Sequence, residues 1–159
     1  CQSKIHQEVA QKNLKLENIY SVSGNLWDDK TLDLLEKLSH KEKKDRYSIW
    51  DSANPIKNTS LAVGYCARKN LPYDLVGHLS YDQFLEKISD NKNLLFLPQT
   101  LETLCRVAVE CRMTGMTVMT NKKLGAASED WFSLKGIELI SLMREKKNTI
   151  CKQVEEILL

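Results

Sequence analysis

The apolar residues of this chain switch repeatedly between two spacings, and that alternation limits its fold more than any other feature. Short apolar runs read as strands, and stretches with a period near 3.6 read as helices. Residues 18–22 read as a short strand, and residues 28–40 as a helix with Leu32, Leu35 and Leu38 on one face. Residues 47–50 are the next expected strand, closed by the turn-forming series Asp51-Ser52-Ala53-Asn54-Pro55. A helix is predicted from about 58 to 69, and a strand over 73–77. Ser80 with Gln83 has the pattern of a capping box and opens a helix through Ile88. Residues 94–98 read as a continuous apolar strand of the kind buried on both faces. The helix after it runs to Thr114, where Gly115 suits a helix C-terminus. A strand over 117–120, a helix over 135–146 and a last short helix over 152–159 complete the expectation. Strand and helix alternating at this spacing predict an α/β fold, a Rossmann-like parallel sheet with helices on both faces. In such sheets ligands sit beyond the carboxyl ends of the strands.

Composition narrows the function classes. With 159 residues, 42% of them apolar, the chain can bury one good core but not two. No apolar run approaches the roughly 20 residues of a membrane-spanning helix. The net charge is +2, and the basic run over 41–46 is broken by Glu42 and Asp45, so a nucleic-acid partner is not expected. The five cysteines, Cys1, Cys66, Cys105, Cys111 and Cys151, show no C-x-x-C spacing, and His6, His40 and His78 stand apart. That pattern predicts a reducing, cytoplasmic setting without a metal site. The sequence opens at Cys1, which suggests a processed product or a domain of a longer protein.

The stretch after the strand at 94–98 carries the chemistry. Glu102 and Glu110 lie eight positions apart and bracket the expected start of a helix. On one continuous helix they would stand roughly 12 Å apart along the axis, within about 80° of each other around it. The amides between them offer an anion site, and Arg106 adds a charge for phosphate. A ligand with hydroxylated groups at both ends and an anion between them suits this layout. Taken alone, two glutamates so spaced are more often one surface carboxylate and one in a salt bridge.

The surrounding residues add a family likeness. Phe96-Leu97-Pro98-Gln99-Thr100-Leu101-Glu102 through Glu110, followed by Gly115-Met116-Thr117-Val118-Met119-Thr120-Asn121, resembles the E-x7-E signature of retaining GT-B glycosyltransferases. Leu124-Gly125-Ala126 and Glu129 are similar to that family's Gly-rich turn and following acidic residue. Residues 49–57, with Lys57 just before a helix, look like its phosphate-binding loop. Residues 77–84 are similar to its loop-then-helix, and Ser3-Lys4-Ile5-His6 and Ser23-Gly24-Asn25 resemble the stretch joining its two domains.

The resemblance implies the donor-binding, C-terminal half of a GT-B enzyme. Residues 1–27 would be the interdomain connection and first strand, and 28–159 the nucleotide-sugar-binding domain. Glu102 would contact the transferred sugar and Glu110 the ribose of a UDP- or GDP-sugar. Asn54 and the segment Thr103, Leu104, Cys105 and Arg106 would hold the donor. Lys57 would neutralise the diphosphate, which gains charge in the transition state. No cofactor or metal is implied. The acceptor would come with an N-terminal half that these residues do not supply.

Two departures favour a different class, a non-catalytic Rossmann-like interaction module. No arginine stands in Asp51-Ser52-Ala53-Asn54, and Thr103 and Cys105 occupy positions where the family has small or glycine residues. A receiver-like signalling domain would need an aspartate where Pro98-Gln99 stands. A nucleotide-sugar epimerase would share the fold, but E-x7-E with Lys57 favours transfer.

Overall fold

The computed structural model describes residues 1–158 and is built on four parallel strands in the order β2-β1-β3-β4. These are β1 (Lys44–Trp50), β2 (Tyr73–Val76), β3 (Asn91–Phe96) and β4 (Thr117–Thr120). Tyr47 lies opposite Tyr73 and Trp50 opposite Val76, while Asn93 faces Thr117 and Phe96 faces Thr120. The register of β1 against β3 shifts between Lys44 and Tyr47.

Alternating side chains send the strands' apolar residues to two faces, and each face is covered by helix. Ile49 and Leu95 meet Ala62 and Cys66 of α3 (Thr59–Lys69). Val76, Leu94 and Phe96 belong to the larger core on the other face. There they are joined by α4 (Tyr81–Ile88), α5 (Arg106–Met113), α2 (Asp29–Ser39) and α6 (Ile137–Leu158). The fold is the α/β, Rossmann-like arrangement that the sequence predicts.

Local chemistry sets the helix ends. Asp28 caps α2 by accepting the Thr31 amide at 2.7 Å. Gln83 Oε1 accepts the Ser80 hydroxyl at 2.8 Å at the start of α4. Gly115, at φ +88°, lets the Met116 amide turn back to the Cys111 carbonyl at 3.0 Å and closes α5. Lys43 reaches the carbonyls at two helix ends, Leu38 at 3.1 Å and Ser89 at 3.0 Å.

Four elements differ from the sequence reading. Residues 18–22 form no strand, because their hydrogen bonds go to the first residues of the chain rather than to the sheet. The Val22 amide donates to the Cys1 carbonyl at 2.8 Å, and the Cys1 ammonium to the Tyr20 carbonyl at 2.6 Å. Residues 4–14 instead form a helix, α1 (Lys4–Leu14), which buries none of its residues and so has no apolar stripe to betray it. Ser3 Oγ caps its start by accepting the His6 amide at 3.3 Å, and remote groups add to it: Glu129 accepts the Lys4 amide at 2.6 Å and Ser128 Oγ the Ile5 amide at 3.3 Å.

Strand β3 begins at the polar Asn91, which is buried because its amide donates to Ser48 Oγ and Asp74 Oδ2, both at 3.0 Å. The two C-terminal helices are one helix of 22 residues, since neither Gly nor Pro interrupts 137–158. Among the described residues, no helix is long and apolar enough to cross a membrane.

Candidate functional site

From β1 the chain crosses to β2 on one side, and from β3 it continues through α5 to β4 on the other. The carboxyl ends of β1 and β3 are therefore the switch point of the sheet, the place where folds of this kind form their ligand crevice. After β1, Asn54 Oδ1 accepts the Ile56 amide at 3.0 Å and starts a single 3-10 turn over Pro55–Lys57. The Gln99 amide donates to the Ile56 carbonyl at 2.8 Å, and Asn58 Nδ2 to the Leu97 carbonyl at 3.0 Å. These bonds clamp the loop after β1 onto the loop after β3.

Within that clamp Lys57 Nζ meets Glu102 Oε1 at 2.8 Å, with the two side chains only 18% and 14% exposed. The ammonium also lies 4.9 Å from the centre of the Trp50 ring, a cation–π distance. Glu102 is not helical. Its amide donates to the Lys123 carbonyl at 2.9 Å and its carbonyl accepts from Gly125 at 2.7 Å, in a parallel bridge with Leu124. The helical projection of the two glutamates therefore does not hold, because α5 begins only at Arg106. Gly125 is required by this bridge: a Cβ there would fall 2.1 Å from the Thr103 carbonyl oxygen.

The residues between the two glutamates have separate fates. Thr103 is engaged by the N-terminal segment, donating its hydroxyl to Gln2 Oε1 at 2.8 Å and accepting Ser3 Oγ at its carbonyl. Leu104 belongs to the core. Cys105 turns the chain into α5 with φ +65°, and burial pushes its thiol up to about 11. Among the described residues no acceptor takes the Arg106 and Val107 amides that open α5.

Glu110 is fully buried one turn into α5. Its Oε1 accepts from Tyr81 Oη at 2.6 Å, Trp27 Nε1 at 2.9 Å and Arg106 Nε at 3.4 Å, while Oε2 has no partner among the described residues. The Arg106 guanidinium lies over the Trp27 ring at 5.2 Å. The side chains of Tyr81, Arg106 and Glu110, with Asp28, Thr31 and Val107, line a cleft of about 580 Å³. Burial, together with the Glu110 charge and hydrogen bond, pushes the Tyr81 phenol far above its usual range, so it stays a neutral donor.

The structure thus brings Lys57, Glu102, Cys105, Arg106 and Glu110 to the carboxyl edge of the sheet, while exposed Asn54 serves as a turn cap and Leu104 as core. Glu129 caps α1 and accepts the Ser23 hydroxyl, which explains its burial without a ligand. His78 is exposed at a left-handed turn, 3.7 Å from Asp51. Tyr81 and Trp27 are site residues that sequence reasoning did not find as partners of Glu110. Trp27 gives only the signal of a core aromatic, and Tyr81 follows a helix cap with nothing to tie it to α5.

Among the described residues no three His, Cys, Asp or Glu side chains gather where a metal ion could be held. Compared with protein-family models, with curated proteins and with solved structures, the chain matches none.

Proposed function

We propose that this chain binds the nucleoside diphosphate of an activated sugar at the β1/β3 switch point, as the donor-side domain of a retaining glycosyltransferase. The observation that carries the reading is the pairing of Lys57 with Glu102 at the switch point, with the unpaired first amides of α5 and the buried carboxylate of Glu110 on the helix that follows β3. A diphosphate would draw Lys57 toward it and accept from the amides at the helix start, where anions are favoured. Glu102, released from the lysine, would accept hydroxyls of the sugar. Glu110 would accept ribose hydroxyls, and Arg106 at the cleft wall adds positive charge near the phosphates. The assignment of the transfer chemistry, including retention at the anomeric carbon, rests on the E-x7-E resemblance. Acceptor binding would need a further domain, so the chain alone should transfer little sugar.

A thermal-shift panel of UDP-, GDP- and ADP-sugars tests the reading. Ligand at 100 times its dissociation constant should stabilise the fold by about 2.7 kcal/mol. No shift with any of the three, at millimolar concentration, would sink the proposal.

One observation favours the non-catalytic interaction module instead. Lys57 and Glu102 satisfy each other, and the N-terminal segment already occupies Thr103, so the crevice is closed by the chain's own groups. In that case the ion pair clamps two loops and nucleotides leave the melting temperature unchanged.

A further inference from the structure

We propose that Tyr81 is a displaceable partition whose hydroxyl holds Glu110 until a ligand hydroxyl takes its place. The proposal rests on the reading of Glu110 as a hydroxyl-binding carboxylate. Three observations lead to it. Tyr81 Oη donates to Glu110 Oε1 at 2.6 Å, while Oε2 of the same fully buried carboxylate has no partner among the described residues. A buried carboxylate half satisfied in this way is costly unless another donor arrives. Next, Tyr81 and Val107 line both the polar cleft that holds Arg106 and Glu110 and a second cleft of about 310 Å³ lined by Trp50, His78, Leu79 and Phe84. The Tyr81 side chain, together with Val107, thus stands between a cleft that carries the charged groups and a largely apolar one. Finally, Tyr81 is 44% exposed, whereas Phe84, Leu85 and Ile88 anchor α4 in the core. Its side chain can rotate out while the helix stays in place.

Rotation would join the two clefts into one groove, apolar toward Trp50 and Phe84 and polar toward Arg106 and Glu110. Trp27 Nε1, 2.9 Å from Oε1, would keep the carboxylate aimed as the phenol leaves. The exchange also selects its ligand. One incoming hydroxyl replaces the phenol like for like and gains little. A vicinal diol supplies a second donor for Oε2, so a ribose is favoured over its 2′-deoxy counterpart.

The test uses the full chain, with UDP and 2′-deoxy-UDP titrated calorimetrically into the unmodified protein and Tyr81→Phe, and tyrosine ring carbons followed by NMR. UDP should move the Tyr81 Cζ resonance, bind about tenfold more tightly than 2′-deoxy-UDP, and bind Tyr81→Phe about tenfold more tightly still, as expected for one hydrogen bond to a charged group. UDP binding with the Tyr81 resonance unmoved, or with affinity unchanged or weaker in Tyr81→Phe, overturns the partition and leaves the nucleotide reading intact. Failure of both proteins to bind UDP at millimolar concentration overturns that reading and the partition with it. The resonance is read in the unmodified protein, so the test does not depend on the variant folding.

Discussion

Lys57 and Glu102 stand 45 positions apart in the chain yet meet at 2.8 Å, joining the loop after β1 to the loop after β3 at the one place where the strand order reverses. The pair is mostly shielded from water, so its members depend on each other. Lys57→Met leaves a shielded carboxylate unpaired and should lower stability by about 2 kcal/mol, less than the 3–5 kcal/mol of a wholly buried pair. The double variant Lys57→Met/Glu102→Gln should recover part of that loss. Urea denaturation of the unmodified chain, Lys57→Met, Glu102→Gln and the double variant measures the coupling. A value below about 0.5 kcal/mol would mean that the two side chains merely lie near each other.

Glu110 calls for a gentler substitution than alanine. Alanine would remove the acceptor for Trp27, Tyr81 and Arg106 together and confound folding with binding. Glu110→Gln keeps an oxygen for the Trp27 indole and removes the charge. It should cost about 1–2 kcal/mol of stability and eliminate any nucleotide-dependent rise in melting temperature. A glutamine variant that still responds fully to UDP would remove Glu110 from the binding site.

The glycines separate close approach from idle flexibility. A Cβ on Gly125 would meet the Thr103 and Glu102 carbonyl oxygens at 2.1 and 2.6 Å, and both are backbone atoms that cannot swing away. Gly125→Ala should break the bridge to Glu102 and cost about 3 kcal/mol. Gly64 lies inside α3, where a Cβ would meet nothing nearer than Arg68 Nη1 at 3.7 Å. Gly64→Ala should raise stability by about 0.5–1 kcal/mol. Thermal denaturation that fails to move the two variants in opposite directions would contradict this packing.

The alternation of periods made the sheet and its covering helices legible, because Leu32, Leu35, Leu94 and Phe96 are buried in the order their spacing announces. Apolar pattern could not reveal α1, which buries none of its residues and whose first amide is taken by Glu129 more than a hundred residues away. Nor could it show that β3 starts at Asn91, a polar residue buried by hydrogen bonds to two other strands. At the site, the spacing of Glu102 and Glu110 marked the right segment but the wrong geometry. The bridge to Leu124 that keeps Glu102 off the helix is a tertiary contact. Tyr81 left no trace in the sequence for the same reason, since only the fold brings α4 against α5.

Asp74 provides a pH test of the opposite edge of the sheet. Arg46 hydrogen-bonds its carboxylate through Nε at 3.0 Å and Nη2 at 2.8 Å, with Asn91 adding a third bond, and together they hold its ionisation below the usual carboxylate range. A carboxyl group whose folded-state pKa is depressed contributes stability above its unfolded value, near 3.9, and loses it as pH falls through the folded value. Because the pair is more than a third exposed, the contribution should stay within the 0.2–1 kcal/mol of surface pairs. Melting temperatures of the unmodified chain and Asp74→Asn should therefore differ at pH 6 and converge as the pH is taken below about 3.9. A gap that stays constant down to pH 2 would show that the Arg46–Asp74 contact does not depend on the ionised carboxylate, and that β1 and β2 are held at this edge by packing and backbone bonds alone.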